Sequence, residues 1–265
     1  MINGTQKSSG VNYFRLNKKM KLFYLITFAV CMPACVLFAQ PDTINAVNNK
    51  LLTGNLKEGK NVYLVYFTDS AFNFTTSGDI WERTITFITK DNQPMVQFNW
   101  KWYHNDSLQR NITNICNKQT LAPVFHKGVF KSGTFAYDFK DSFMVPSDTV
   151  QNNAAIKRPK VPLTIPVISW EQDMETYPLL PIKKVGQIFD IAFYDPNEKS
   201  TSYKRYIVSG KEDLQLNSTT KIKCWLLKHE FPNGYSIFWL TEKSKEFVKL
   251  KDYFNGRYRF KVKLY

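Results

Sequence analysis

From Val96 to Trp102 the chain reads Val-Gln-Phe-Asn-Trp-Lys-Trp, placing Val96, Phe98, Trp100 and Trp102 on one side and Gln97, Asn99 and Lys101 on the other. Successive side chains of a strand point to opposite faces, so a period of two fits a half-buried antiparallel strand and not a helix. The final segment repeats the pattern, with Tyr258, Phe260, Val262 and Leu264 alternating with Arg257, Arg259, Lys261 and Lys263. The first set is expected to face the core, and the second forms a wholly basic face. Turn residues punctuate the runs at Lys90-Asp91-Asn92, His104-Asn105-Asp106, Pro232-Asn233-Gly234 and Asn255-Gly256, the last two reading as tight hairpins. Strands are predicted near 62–68, 80–89, 94–103, 107–116, 121–128, 132–139, 142–147, 186–194, 202–213, 219–231, 234–241, 246–253 and 256–264.

One segment breaks the alternation. Ser169–Tyr177 sets Trp170, Met174 and Tyr177 on one helical stripe, with Ser169 and Gln172 as a capping box and Pro178 as a stop. The stripe is expected to pack against a sheet; a ligand lid is the other reading. Ahead of it, 157–166 carries Pro159, Pro162 and Pro166 and reads as an extended connector. The flanks of the connector look alike. Cys116–Val124 and Leu240–Val248 each give a strand, a polar turn and a strand, then a glycine turn at Gly133 or Gly256 and an alternating aromatic strand. The expected class is therefore mainly β: a curved antiparallel sheet or half-barrel of two similar β meanders, about 61–147 and 182–265, joined by a connector at 148–181 with one short helix near 169–177. Together, 61–265 would form a single domain preceded by a lead-in at 40–60.

The N-terminus addresses the compartment. Lys18, Lys19 and Lys21 precede the apolar run Leu22–Ala39, which Pro33 divides. Leu22–Met32 has the length of a signal-peptide core, and Ala39 suits a cleavage position. Cleavage after Ala39 is the leading expectation, with lipidation at Cys35 and an uncleaved anchor as alternatives; Met20 competes with Met1 as the start. The formal charge of +14 becomes +14 − 5 = +9 without Lys7, Arg15, Lys18, Lys19 and Lys21. Despite this basicity, nucleic acid is not an expected partner, because the chain is expected to be exported. It fits either a soluble basic surface or attraction to anionic lipid or polysaccharide. Membrane contact is expected only through the signal or peripherally.

Chemistry is sparse. His104, His126 and His229 do not pair at metal-ligand spacing, and His229 and Glu230, being adjacent on a strand, face opposite sides. There is no G-x-S-x-G elbow and no glycine-rich phosphate loop. No catalytic residue, metal site or cofactor is expected. Cys116 and Cys224 read as two separately buried thiols, although an exported setting permits a disulfide. Aromatic residues are 15% of the chain, enough to fill a core or to line a cavity inside an incompletely closed sheet. The cavity candidates are Phe98, Trp100, Trp102, Trp225, Phe238 and Trp239. The basic strip Arg257, Arg259, Lys261 and Lys263 fits a solvated, aggregation-resistant strand face or a docking strip for lipid phosphates or an acidic partner.

Leu179–Ile191, Tyr206-x-Val208-x-Gly210-x-Glu212, Cys224-Trp225, Phe238–Thr241 and Val248–Leu250 resemble, in order and spacing, the domain-of-unknown-function 3108 (TapB-like) family, and the exported Bacteroidota members in particular. The likeness spans roughly 60–265 and is densest from 178 onward. It implies an exported, mostly antiparallel β protein with a short central helix and supplies no catalytic residues; the curved sheet is similar to half-barrel lipoprotein carriers. The leading expectation is a non-enzymatic envelope protein that binds a lipid or other hydrophobic or amphipathic ligand. An envelope assembly factor working through a protein partner is the alternative, and a hydrolase of envelope polymers ranks third.

Overall fold

In the computed structural model, residues 40–48, 50–75, 78–140, 142–194 and 200–265 are described, so the leader and its cysteines lie outside them. Alternation and turn chemistry produce a single curved sheet of sixteen strands. The N-terminal meander comprises β2 (Gly59–Asp69), β3 (Asp79–Lys90), β4 (Gln93–His104), β5 (Ser107–Asn117), β6 (Pro123–Phe130), β7 (Gly133–Lys140) and β8 (Phe143–Pro146). The C-terminal meander comprises β11 (Ile188–Tyr194), β12 (Ser202–Gln215), β13 (Lys221–Phe231), β14 (Gly234–Thr241), β15 (Phe247–Phe254) and β16 (Arg257–Lys263). Three short strands escaped the sequence reading: β1 (Asp42–Ile44), β9 (Val161–Pro162) and β10 (Ile168–Ser169).

Positive φ at both Asn105 and Asp106, and at both Asn255 and Gly256, supplies the primed turns that match strand twist and fix hairpin register. The two meanders join where β16 pairs antiparallel with β2, Lys261 opposite Val65. At the far ends, β9 pairs with β8, while β10 and β1 pair in parallel with β11. The connector thus leaves one edge of the sheet and arrives at the other. Tyr137, Met144, Val167 and Tyr194 form a small second core there, and the rings of Phe139 and Tyr194 meet at 6.0 Å. The sheet stays open, and this strap draws its edges together.

The two polar turns aligned in sequence share a geometry. Asn117 N–H donates to Ala122 O and Leu121 N–H to Asn117 O; Thr241 N–H donates to Glu246 O and Lys245 N–H to Thr241 O. Leu121 and Lys245 both have positive φ, and both turns follow a register shift, at Ile115/Cys116 and Trp239/Leu240.

The main core lies on the inner face, against the segment that follows β10. That segment is less regular than its stripe suggested: a 3-10 turn at Trp170–Gln172, one α turn, α1 (Asp173–Thr176), and a 3-10 turn at Tyr177–Leu179. The expected capping box does not form. Ser169 makes no side-chain cap bond, and Gln172 instead accepts the Cys116 thiol at 3.0 Å. The stripe itself packs as core. Tyr177 is fully buried among the rings of Phe193, Tyr206 and Phe238, and its hydroxyl donates to that of Tyr206 at 3.0 Å. Cys116 and Cys224 are both buried and unpaired. Burial lifts the Cys116 thiol to about 12 and Cys224 to about 11.

Candidate functional site

On β3, Asp79, Trp81, Arg83 and Ile85 share a face, and that face turns inward toward α1. Arg83 is only 3% exposed. Its Nε and Nη2 donate to the two carboxylate oxygens of Glu175 at 2.6 and 2.5 Å, and Nη2 also donates to Glu171 O at 2.5 Å. A buried guanidinium needs such a bidentate partner, and the clamp fixes the segment inside the sheet. Neighbouring strands add Trp100 opposite Arg83 and Trp102 opposite Trp81. The Trp81 ring centroid lies 4.5 Å from that of Trp100 and 6.0 Å from that of Trp102.

The basic strip is where the structure corrects the sequence reading. Phe260 and Tyr258 lie on the outer face, Phe260 stacked on Tyr66 at 5.1 Å and Tyr258 on Phe72 at 4.8 Å. Arg259 and Lys261 therefore point inward, and Lys261 is 5% exposed. Arg259 donates to Asp252, which also accepts the Ser236 hydroxyl at 2.6 Å. Lys261 Nζ lies 4.2 Å from the Trp81 ring centroid and 3.9 Å from Met174 Sδ. Burial pulls its ammonium down to about 8. At the ends of the strip, Arg257 is exposed over the rings of Phe67 and Phe254, and Lys263 pairs with Glu246. The four residues do not form one solvated ladder.

Between sheet and segment lies a cavity of about 280 Å³ lined by Trp81, Trp100, Trp102, Trp170 and Phe238, with charge supplied by Asp79, Arg83, Arg110, Glu171, Asp173, Asp252, Arg259 and Lys261. Three of the six aromatic candidates, Trp100, Trp102 and Phe238, meet here. Phe98 and Trp225 also belong to the inner core but do not line the cavity. Trp225 sits under Lys211 and Lys245, at 4.0 and 4.8 Å, and its indole N–H donates to Glu242 O. Trp239 follows Phe238 and so faces outward, beneath Lys249 at 4.9 Å. The sequence reading missed Trp81, Arg83, Arg110, Asp252 and the acids of the central segment. Alternation did hold a signal for Arg83, which falls between Trp81 and Ile85 on one face. Among the described residues, no group of three or more His, Cys, Asp or Glu is arranged to hold a metal ion.

The arrangement is that of an open, curved antiparallel β protein whose inner face holds a central plug and a mixed aromatic and charged pocket. The chain belongs to the DUF3108 family, described as protein of unknown function, whose profile matches residues 62–263. No curated protein matches it significantly in sequence. Among solved structures it is similar to the β-barrel-like protein of domain of unknown function DUF1849 from Brucella abortus, at 12% identity over 77% of this chain and 95% of that one, with a TM-score of 0.43. It is also similar to the Mycobacterium tuberculosis lipoprotein LppX, at 7% identity over 82% and 91% of the two chains, with a TM-score of 0.27. Both superpositions are too loose to bear on function. No helix among the described residues is long and apolar enough to cross a membrane.

Proposed function

We propose that this is an exported, non-catalytic envelope protein that binds a small amphipathic ligand on the inner face of its sheet. The observation that carries this reading is the cavity at the mouth of that face, where an aromatic wall meets a charged rim. Ligand pockets combine apolar lining with a few placed polar groups in this way. At about 280 Å³ the cavity suits one small molecule or one chain end, and the central segment fills the space a two-chain lipid would need. The acids around it are engaged: Asp79 with His104 at 2.6 Å, Glu171 with His126 at 3.1 Å, Asp252 with Arg259 at 2.5 Å.

The test is to purify the protein, extract it and analyse the extract by mass spectrometry, then titrate a hydrophobic fluorophore while following tryptophan emission. A co-purifying amphiphile, or fluorophore uptake weakened by Trp102→Ala, supports the reading. No extractable ligand together with no uptake removes it. A second reading, an assembly factor acting through protein contacts, draws on one observation. Phe72 and Phe74 are 54% and 74% exposed on the outer face. It predicts that crosslinking in the native envelope traps a partner through that loop, and that Phe74→Ser abolishes the adduct.

A further inference from the structure

The polar groups of the inner cavity are unbalanced in one respect. Its acids have partners: Asp79, Glu171 and Asp252 as above, and Asp173 with its neighbour's amide, Met174 N–H, at 2.7 Å and with Arg83 at 3.9 Å. Its donors do not all have acceptors. Among the described residues, no carboxylate lies within 4.0 Å of Lys261, whose ammonium lies against a thioether and an indole face. Arg110 is exposed, so water can satisfy its guanidinium; it stacks on Trp102 and Phe130 at 4.6 and 5.5 Å at the edge of the cavity. The indole N–H groups of Trp81, Trp100 and Trp102 are buried and meet no acceptor. An indole nitrogen can only donate, and an ammonium or guanidinium likewise. Buried donors are almost always satisfied in folded proteins, so a cluster of orphans around one cavity calls for an acceptor from outside.

Resting on the ligand-binding reading above, we infer that the pocket takes an amphiphile with a monoanionic carboxylate head, received by Lys261 at the base of the cavity and approached past Arg110. The carboxylate oxygens and water bound to them supply acceptors to the indole N–H groups, and the tail lies against Val65, Phe238 and Leu250. One charge suits the site better than two, because Arg259 is paired with Asp252 and Arg83 with Glu175 and Asp173, which leaves Lys261 as a single buried cation without a counter-ion. The cost of keeping an ammonium in a buried place without a counter-ion is then a feature of the empty protein, removed when ligand binds.

Octanoate, 1-octanol, octylammonium and octyl phosphate are the probes, read by quenching of tryptophan emission and by titration calorimetry on the purified protein. The expected order is octanoate at least tenfold tighter than octanol, octyl phosphate weaker than octanoate, and octylammonium without detectable binding. Lys261→Met is expected to keep octanol affinity within about twofold and to lose the tenfold preference for octanoate. Its urea midpoint should equal or exceed that of the parent, which separates a lost anchor from a lost fold. Equal affinity of the parent for octanoate and octanol would overturn the carboxylate anchor while leaving the ligand-binding reading standing. Tighter octyl phosphate, or an octanoate preference that survives in Lys261→Met, would overturn it as well. Binding of none of the four would overturn the carboxylate anchor, while the ligand-binding reading would still be decided by extraction and fluorophore uptake.

Discussion

The two sides of β16 follow opposite rules. Outside, Tyr258 and Phe260 lie among the rings of Tyr66, Phe72 and Tyr253, with Lys251 over Tyr258 at 4.6 Å. Inside, Lys261 is enclosed with Trp81 and Met174, and the half-buried Arg259 pairs with Asp252. The usual arrangement of apolar inside and charged outside is reversed on this strand. Arg259 turns inward to Asp252 of the neighbouring strand, and Lys261 to Met174 of the central segment and the Trp81 ring. Outer rings can remain partly wet because their packing is aromatic on aromatic and needs no ionic partner.

The contrast makes graded predictions. The largest concerns the inner clamp. Arg83→Ala strands the Glu175 carboxylate and is expected to cost about 3–5 kcal/mol. The double variant Arg83→Leu with Glu175→Leu should recover most of that loss in urea denaturation; if the single and double variants fall equally, the clamp is packing and not charge. Next comes the outer ring layer, where replacing Phe260, only 8% exposed, by alanine should cost about 3 kcal/mol.

Third is a pH effect specific to the inner face. Lys261 titrates near 8 in the folded chain, below the ~10.4 of an unfolded lysine. Between those values the unfolded state binds more protons, so this residue makes stability rise with pH from about 8 upward. Burial lowers it most, and the charges of Arg259, Asp173, Asp252 and Arg83 act after that. The raised thiols of Cys116 and Cys224 act the other way above about pH 9, since the unfolded thiols ionise first. The readout is therefore the difference between parent and Lys261→Met. That difference should favour the variant at pH 7.5 and shrink by roughly 1–2 kcal/mol by pH 9.5. A difference that stays constant would mean the ammonium is not held down by burial. Smallest of all, Phe72→Ala should change the unfolding free energy by no more than about 0.5 kcal/mol, as its ring is half exposed.

Much of this architecture was legible before any coordinates. The thirteen expected strands all form, within a few residues of their expected bounds, because alternation and turn residues act locally and here agree with each other. β1, β9 and β10 were not legible, being two or three residues long and defined by a partner strand instead of by their own pattern. The site was read less well, for a different reason. Alternation says which residues share a face and leaves open which face is inside. On β16 the inward Arg259 meets Asp252 and the inward Lys261 meets Met174 and Trp81, the last two far away in sequence. Phe238 and Trp239 show the converse: adjacent strand residues cannot share a face, so the pair was separable from sequence alone. The buried thiols likewise behave as small apolar core groups, each in its own surroundings.

The pairing of β16 with β2 also has a kinetic meaning. These strands are almost two hundred residues apart, yet they form the join between the meanders, extended by Val62 N–H to Tyr265 O at 2.9 Å and Leu264 N–H to Val62 O at 2.8 Å. Closing so long a loop is entropically expensive and slow compared with making any hairpin in the sheet. Each meander can zip from its own turns, but the hollow has no complete wall until the final strand arrives. A chain emerging N-terminus first therefore holds its inner face unfinished until the last residues are free, and cutting it before Arg257 should leave two unjoined half-sheets with no pocket between them.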